Sequence, residues 1–218
     1  MSHEFAVVWA HKDRLLEGLA NTIWLSLLAT AIALVLGALI AAVLMSRLSV
    51  ARRAMQWLVD GMRCVPFLLL AYIVYYGLPT FGIRLNNWTA GLCALVLYNA
   101  AYLGEILRGA WAGLPSEYTD AAHAFGFQGL LLYRRIILPP VILASVPIIG
   151  NQVIQIIKDS AFLTILAVPE LTHAASAIQS TYFVPFAAFV AAVALYWMLC
   201  RAVELTVGWT ERRAEERR

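Results

Sequence analysis

Charge is scarce in this chain. Only 13% of its 218 residues are Asp, Glu, Lys or Arg, about half the share found in an average soluble domain. Lysine is nearly absent: Lys12 and Lys158 are the only two, and neither follows a glycine. That excludes a Gly-Lys-Ser/Thr phosphate-binding loop on this polypeptide. Cysteine is limited to Cys64, Cys93 and Cys200, scattered with no Cys-x-x-Cys spacing, so neither a metal ribbon nor a disulfide framework is expected. His3, His11, His123 and His173 stand alone. No His-Glu-x-x-His, Gly-x-Ser-x-Gly or dinucleotide glycine pattern is present. The sequence therefore offers no catalytic residues and no metal-ligand set. The first 22 residues mix both charge signs and lack a compact apolar core before a small-residue cleavage site, so they do not read as a removable signal peptide.

What is abundant is apolar surface. Hydrophobic residues make up 62% of the chain, with a mean hydropathy of +0.76. A soluble fold of this size cannot bury that much, which makes this an all-α integral membrane protein. Stretches free of charge and long enough to cross a bilayer predict about five transmembrane helices, near residues 19–46, 57–79, 87–112, 136–158 and 184–208, forming one domain over 1–218. The polar stretch between the fourth and fifth, THAASAIQSTYF, reads as a loop or short surface helix. Arginine placement sets the orientation. Arg47, Arg52, Arg53, Arg63, Arg108, Arg134, Arg135, Arg201, Arg212, Arg213, Arg217 and Arg218 fall on one set of connections, against Lys12, Arg14, Arg84 and Lys158 on the other. The arginine-rich set is expected to be cytoplasmic, with the N-terminus outside and the C-terminus inside. Short basic clusters between apolar runs fit membrane topology and not a nucleic-acid stripe.

One connection is out of proportion. Residues 115–135 run long on the expected cytoplasmic side. Pro115-Ser116-Glu117 looks like a helix start, with Glu117 and Asp120 as first-turn acids and Gly126 permitting a bend. Two short helices hinged at a glycine, with small Ala faces, suit a rigid lever docked in a partner's groove. The competing reading is an amphipathic helix lying on lipid headgroups, which two neighbouring acids and a lack of lysine disfavour.

Polar groups inside apolar spans are costly and tend to face a cavity or partner. The third helix places Asn99, Tyr102 and Glu105 at i, i+3 and i+6, with Tyr98 beside them, so amide, phenol and carboxylate share one ridge. They are candidates for holding a zwitterion, although Glu105 also has Arg108 at i+3 as a structural partner. The fourth helix carries Asn151, Gln155 and Lys158 at i, i+4 and i+7, lining either a pathway or the contact with a second subunit. Lys158 and Asp159 are expected near the outer face, as a gate, a docking contact or a mutual pair. Pro66 is either a plain kink or a break that turns freed backbone toward a substrate.

The lever segment resembles the signature loop of binding-protein-dependent ABC importer permeases: Glu-Ala-Ala, three residues, Gly, nine residues, Ile, one residue, Leu-Pro. Here it reads Asp120-Ala121-Ala122, Gly126, Ile136, Leu138 and Pro139 with every spacing kept. The one departure is Asp for Glu. GLANTIWLSL, MRCVPFLLLAYIVYYGLP, AYLGEILRGAWAGLP and IKDSAFLTILAVPEL follow in the order of the polar-amino-acid branch, which takes up histidine, arginine, glutamine or glutamate. Cys64-Val65, Ala161 and Pro140 depart from that branch's usual residues.

The resemblance implies a type I importer permease in the bacterial inner membrane, with no ATPase site or cofactor of its own. Glu117, Asp120, Ala121, Ala122 and Gly126 would couple to a cytoplasmic ATP-binding subunit present in two copies, which binds ATP and Mg. It further implies a second permease subunit, copy or sibling, a periplasmic solute-binding protein, and a small amino acid as cargo. A secondary transporter or channel is the alternative, disfavoured by the lack of a detectable inverted repeat.

Overall fold

In the computed structural model, residues 2–215 are described, so Arg217 and Arg218 of the basic tail lie outside the described residues. Among the described residues the chain is helical, without strands. A short α1 (Ser2–Ala10) precedes α2 (Lys12–Leu44), α3 (Ser49–Cys64) and α4 (Phe67–Tyr72), and α5 (Asn87–Ala112) follows. Then come α6 (Ser116–Ala124), α7 (Gly129–Leu132), α8 (Leu138–Ser160), α9 (Leu171–Tyr182) and α10 (Pro185–Glu215).

Local sequence explains several boundaries. The α5 start is fixed by Asn86, whose side chain accepts the Thr89 N–H at 2.8 Å, one of the amides a helix start leaves without an internal partner. Where the apolar run suggests one helix near 57–79, the chain instead forms two pieces bent by 105°. Pro66 supplies no N–H and pushes the preceding Val65 into an extended conformation (ψ 135°), so the helical ladder stops there. The second piece continues through a wide turn at Ile73–Gly77 and a tight one at Leu78–Phe81, closed by Gly82 at φ 81°.

Four helices are long and apolar enough to cross a membrane, or five if the bent pair is one crossing. Packing favours counting the pair. A Cβ on Gly37 of α2 would sit 2.8 Å from Leu103 Cβ of α5, and Gly104 is in turn against Ile40. The C-terminal ends of α2 and α5 therefore lie side by side, and the two helices run parallel. The intervening chain has to return to the opposite end, and it does: Tyr75 donates to Asn87 Oδ1 at the start of α5, at 3.1 Å. The same parallel arrangement gathers the arginine clusters after α2 and around α6–α8 at one end of the bundle.

The core is shared by α2 (Leu25, Ala29), the broken pair (Phe67, Leu70, Ala71, Val74), α5 (Ala90, Ala94, Leu95) and α8 (Ile156), with Leu163 just beyond. The glycine contact between α2 and α5 permits this closeness. A Cβ on Gly104 would meet Ile40 Cγ2 at 2.6 Å and the Gly37 carbonyl at 3.3 Å. We expect Gly104→Val to cost about 1–3 kcal/mol by overpacking, read as a lowered Tm of the detergent-purified protein. Gly109→Ala, which meets nothing within 4 Å, should leave Tm unchanged or raise it.

At the opposite end, α9 is held by a carboxylate. Glu170 is fully buried and caps α9, accepting the N–H groups of Thr172 (2.7 Å) and His173 (2.6 Å) and the Tyr196 hydroxyl of α10 (2.7 Å). Burial pushes its carboxyl above the ordinary value, while those donors pull it back. Thr22 of α2 accepts the Leu171 N–H at 3.0 Å. The polar stretch expected as a loop or surface helix is thus a helix fastened to both α2 and α10.

Candidate coupling segment and buried polar cluster

Two places on this scaffold concentrate the residues singled out above. The first is the segment between α5 and α8, at the arginine-rich end. Its helix α6 starts at Pro115 and closes with a specific hydrogen-bond pattern. Phe127 N–H reaches the Ala122 carbonyl (2.9 Å) and Gly126 N–H the His123 carbonyl (3.0 Å). Such a closure needs a left-handed residue just past the helix end, and Gly126 supplies it with φ 79°. A second left-handed glycine, Gly129 at φ 54°, turns the chain again at the first residue of α7. Sequence spacing pointed to Gly126 alone, because a positive φ at Gly129 leaves no mark in a pattern of residue types.

The segment has a base and a face. Ala122, Leu132, Ile137 and Val141 are buried together, with Trp111, Leu114 and Phe127 packed on them. This ties α6 rigidly to the end of α5 and the start of α8. The opposite face is open. Glu117, Asp120 and Ala121 are exposed, Phe125 is 83% exposed and Leu130 80%. Glu117, Tyr118, Ala121 and Phe125 border a mostly apolar hollow of about 400 Å³. Of the five residues assigned to coupling, Ala122 faces the base and the others face outward or shape the bend.

The second place lies inside the bundle. Asn99 is fully buried; its amide donates to the Leu95 carbonyl (2.9 Å) and its Oδ1 accepts from Gln152 Nε2 of α8 (2.6 Å). The α5–α8 contact thus runs through an amide pair whose members are far apart in sequence. Tyr98 and Tyr102 hydroxyls lie 3.2 Å apart, and Tyr102 also donates to the Arg63 carbonyl at 3.2 Å. That carbonyl is among those released from helical pairing where the chain breaks before Pro66. Glu105 is held by Arg108 through two 2.7 Å bonds, the structural partnership that i+3 spacing allowed. Replacing Asn99 with Ala would leave the Gln152 amide unpaired, at a cost of about 1–3 kcal/mol. The expected outcome is a lowered Tm for Asn99→Ala, partly restored by adding Gln152→Leu.

Lys158 and Asp159 part company. Lys158 is exposed on the same side as Asn151 and Gln155, whereas Asp159 points inward and is 3% exposed. Among the described residues no ion pair joins the two. Asp159 Oδ1 accepts from Gln155 Nε2 (2.8 Å), and Oδ2 has no hydrogen-bond partner. Aromatic rings border this region: Phe67, just past Pro66, stacks edge-on with Tyr98 at 5.4 Å and lies 6.3 Å from Phe162. A buried carboxylate with one oxygen held by the Gln155 amide and the other free of hydrogen-bond partners can receive a cationic donor. Phe67 and Phe162 are members that residue spacing did not single out.

Comparison with known proteins places this architecture. The family described as binding-protein-dependent transport system inner membrane component matches residues 20–216. The chain is 31% identical to a probable glutamine ABC transporter permease protein, GlnM, of Bacillus subtilis (strain 168), covering 92% of this chain and 93% of the relative. It is 30% identical to the octopine transport system permease protein OccM of Rhizobium meliloti, covering 96% and 92%. Among solved structures, an amino acid ABC transporter crystallised with histidines superposes with a TM-score of 0.91 at 27% identity, over 96% of this chain and 98% of that one.

Proposed function

The chain belongs to the family of binding-protein-dependent transport system inner membrane components, and from that premise we propose that it is the permease subunit of an ATP-driven importer for a polar amino acid. The observation that carries this reading is the segment at residues 115–135: a rigid base continuous with α5 and α8 beneath an exposed face of Phe125, Leu130 and Tyr118. In this reading the arginine-rich end is cytoplasmic, and the apolar hollow beside Phe125 receives an ATP-binding subunit. Two copies of that subunit hold ATP and Mg and hydrolyse it; this chain supplies path and coupling. Closure of the ATPase pair displaces the lever, and α5 and α8 move with it because Ala122, Trp111 and Val141 are packed as one body. The bundle then alternates between outward-open and inward-open states. A periplasmic solute-binding protein delivers the cargo in the inner membrane of a bacterium, and a second permease completes the pathway.

Cargo chemistry is read from the buried polar cluster. Asp159 Oδ2 accepts the substrate ammonium, Gln155 orients the carboxylate, and Phe67 and Phe162 flank the carbon skeleton. The names of the relatives above, which refer to glutamine and octopine transport, agree with a polar amino acid. Pro66, Tyr98 and Tyr102 shape the wall, while Asn99 and Glu105 brace the helices from behind.

The test is uptake into proteoliposomes holding the permease, its ATP-binding partner and the solute-binding protein. Accumulation should require ATP inside the vesicle and persist when ion gradients are collapsed. Accumulation driven by an ion gradient without ATP would establish the secondary-transport reading instead.

A further inference from the structure

Helix α3 does not follow the bundle. The limb after Pro66 does: Phe67, Leu70, Ala71 and Val74 are buried along α5 against Ala90, Ala94 and Leu95. The 105° bend between Ser49–Cys64 and Phe67–Phe81 therefore leaves α3 nearly perpendicular to that limb, lying across the arginine-rich end. Its contact with the bundle is narrow. Val59 is buried with Ala101 and with Leu44, the last residue of α2, while Met55 and Met62 pack beside it.

Helical spacing divides the rest of α3 into two further faces. Val50, Ala54, Trp57 and Leu58 form an apolar face that the chain leaves uncovered, with Val50 83% and Trp57 76% exposed. Arg52, Arg53, Gln56 and Asp60 form an exposed polar face, and Arg47 is exposed just before the helix. Asp60 lies 3.9 Å from Arg63. Among the described residues, Arg47, Arg52 and Arg53 have no acidic partner. The two faces meet in a hollow of about 350 Å³, where Arg53 and Ser49 adjoin Val50, Ala54 and Trp57. Apolar and cationic faces side by side on one helix suit the plane of a membrane surface. Three uncompensated arginines do not suit a helix surrounded by hydrocarbon.

We propose that α3 is an in-plane anchor that binds anionic phospholipid. Arg47, Arg52 and Arg53 take the phosphate-bearing headgroups, and Val50, Ala54, Trp57 and Leu58 enter the boundary with the acyl chains. Charge decides the occupant, because each arginine near an anionic surface favours it roughly fivefold, whereas a zwitterionic surface gives no such gain. A guanidinium also pairs well with two phosphate oxygens, and the indole of Trp57 suits the headgroup level. The leaflet is the cytosolic one in the orientation given above. The lipid contact itself depends on neither the cargo nor the ATPase.

The experiment uses the whole transporter in nanodiscs made from an equal mixture of phosphatidylcholine and phosphatidylglycerol. Cys64, Cys93 and Cys200 are replaced by serine, and Val50→Cys carries a bimane fluorophore; Leu58→Cys is the second position should the first disturb assembly. Quenching is compared between discs in which only the phosphatidylglycerol, or only the phosphatidylcholine, has brominated acyl chains. Brominated phosphatidylglycerol should quench severalfold more at α3 and equally at Val35→Cys, an exposed site on α2. The preference should fall to near parity at high salt, and likewise on combining Arg47→Gln, Arg52→Gln and Arg53→Gln. Salt alone gives the contrast if that triple variant does not assemble. Equal quenching by both lipids at α3 overturns the inference. So does quenching by neither, which would mean that another protein chain covers this face. ATP-driven uptake, measured separately, bears on the importer reading and leaves the lipid result unaffected.

Discussion

Gly126→Val is expected to abolish most ATP-driven uptake while leaving membrane insertion and the amount of assembled complex unchanged. The reasoning begins at one backbone angle. Gly126 sits at φ 79° with open space around the position a Cβ would take, so the penalty comes from conformation and not from a clash. A left-handed residue with a side chain costs about 1–2 kcal/mol, and a β-branched one is the worst accommodated. The two hydrogen bonds that close α6 depend on that angle. Relaxing it re-aims Phe125 and Phe127, one on the exposed face and one in the base. A strain of this size shifts a two-state balance by about tenfold, enough to disengage a lever without unfolding α5 or α8. ATPase activity of the complex, measured beside uptake, should continue or become insensitive to the solute-binding protein. Gly126→Asn, which tolerates the left-handed region better, should retain more uptake than the valine variant.

The second large effect concerns the buried carboxylate. Asp159→Asn preserves shape and the Gln155 contact but removes the charge that would meet a substrate ammonium. A hydrogen bond to a charged group contributes about 1.5–3 kcal/mol, so the KM for uptake should rise about ten- to hundredfold, with solute-binding protein affinity and protein level unchanged. Glu105→Gln is the informative contrast. Glu105 is already held by two bonds from Arg108, so that change should lower stability modestly and leave KM nearly unaltered. Equal effects of the two substitutions on KM would remove Asp159 from the substrate site.

Several elements of this account were legible in the residues because the signal is local. The span at 87–112 shows itself through the charge-free stretch from Leu85 to Gly104. Gly126 shows itself because a fixed motif spacing singles it out, and the i+3 relation between Glu105 and Arg108 is visible in the letters alone. The break at Pro66 is another matter. A proline in an apolar run is compatible with a kink or a full break, and the choice here depends on distant support: Tyr102 taking up the Arg63 carbonyl, and Phe67 finding Tyr98 and Phe162 to pack against. Helix periodicity places Lys158 and Asp159 side by side, yet only the packing of α8 on α5 and the broken pair decides that one is buried and the other exposed. The Asn99–Gln152 bond and the Glu170 clamp have the same character. Each joins residues whose separation in sequence carries no periodic trace, so each becomes visible only once helices are placed.

Phe125 offers the most direct trial of the coupling claim. With the native cysteines replaced, Phe125→Cys in the intact transporter should cross-link to the ATP-binding subunit, with a yield that changes when ATP is added, and should be shielded from membrane-impermeant maleimide applied to the periplasmic face. Labelling of that cysteine from the periplasmic face, or full ATP-driven uptake with no cross-link to the ATPase in any nucleotide state, would contradict the account.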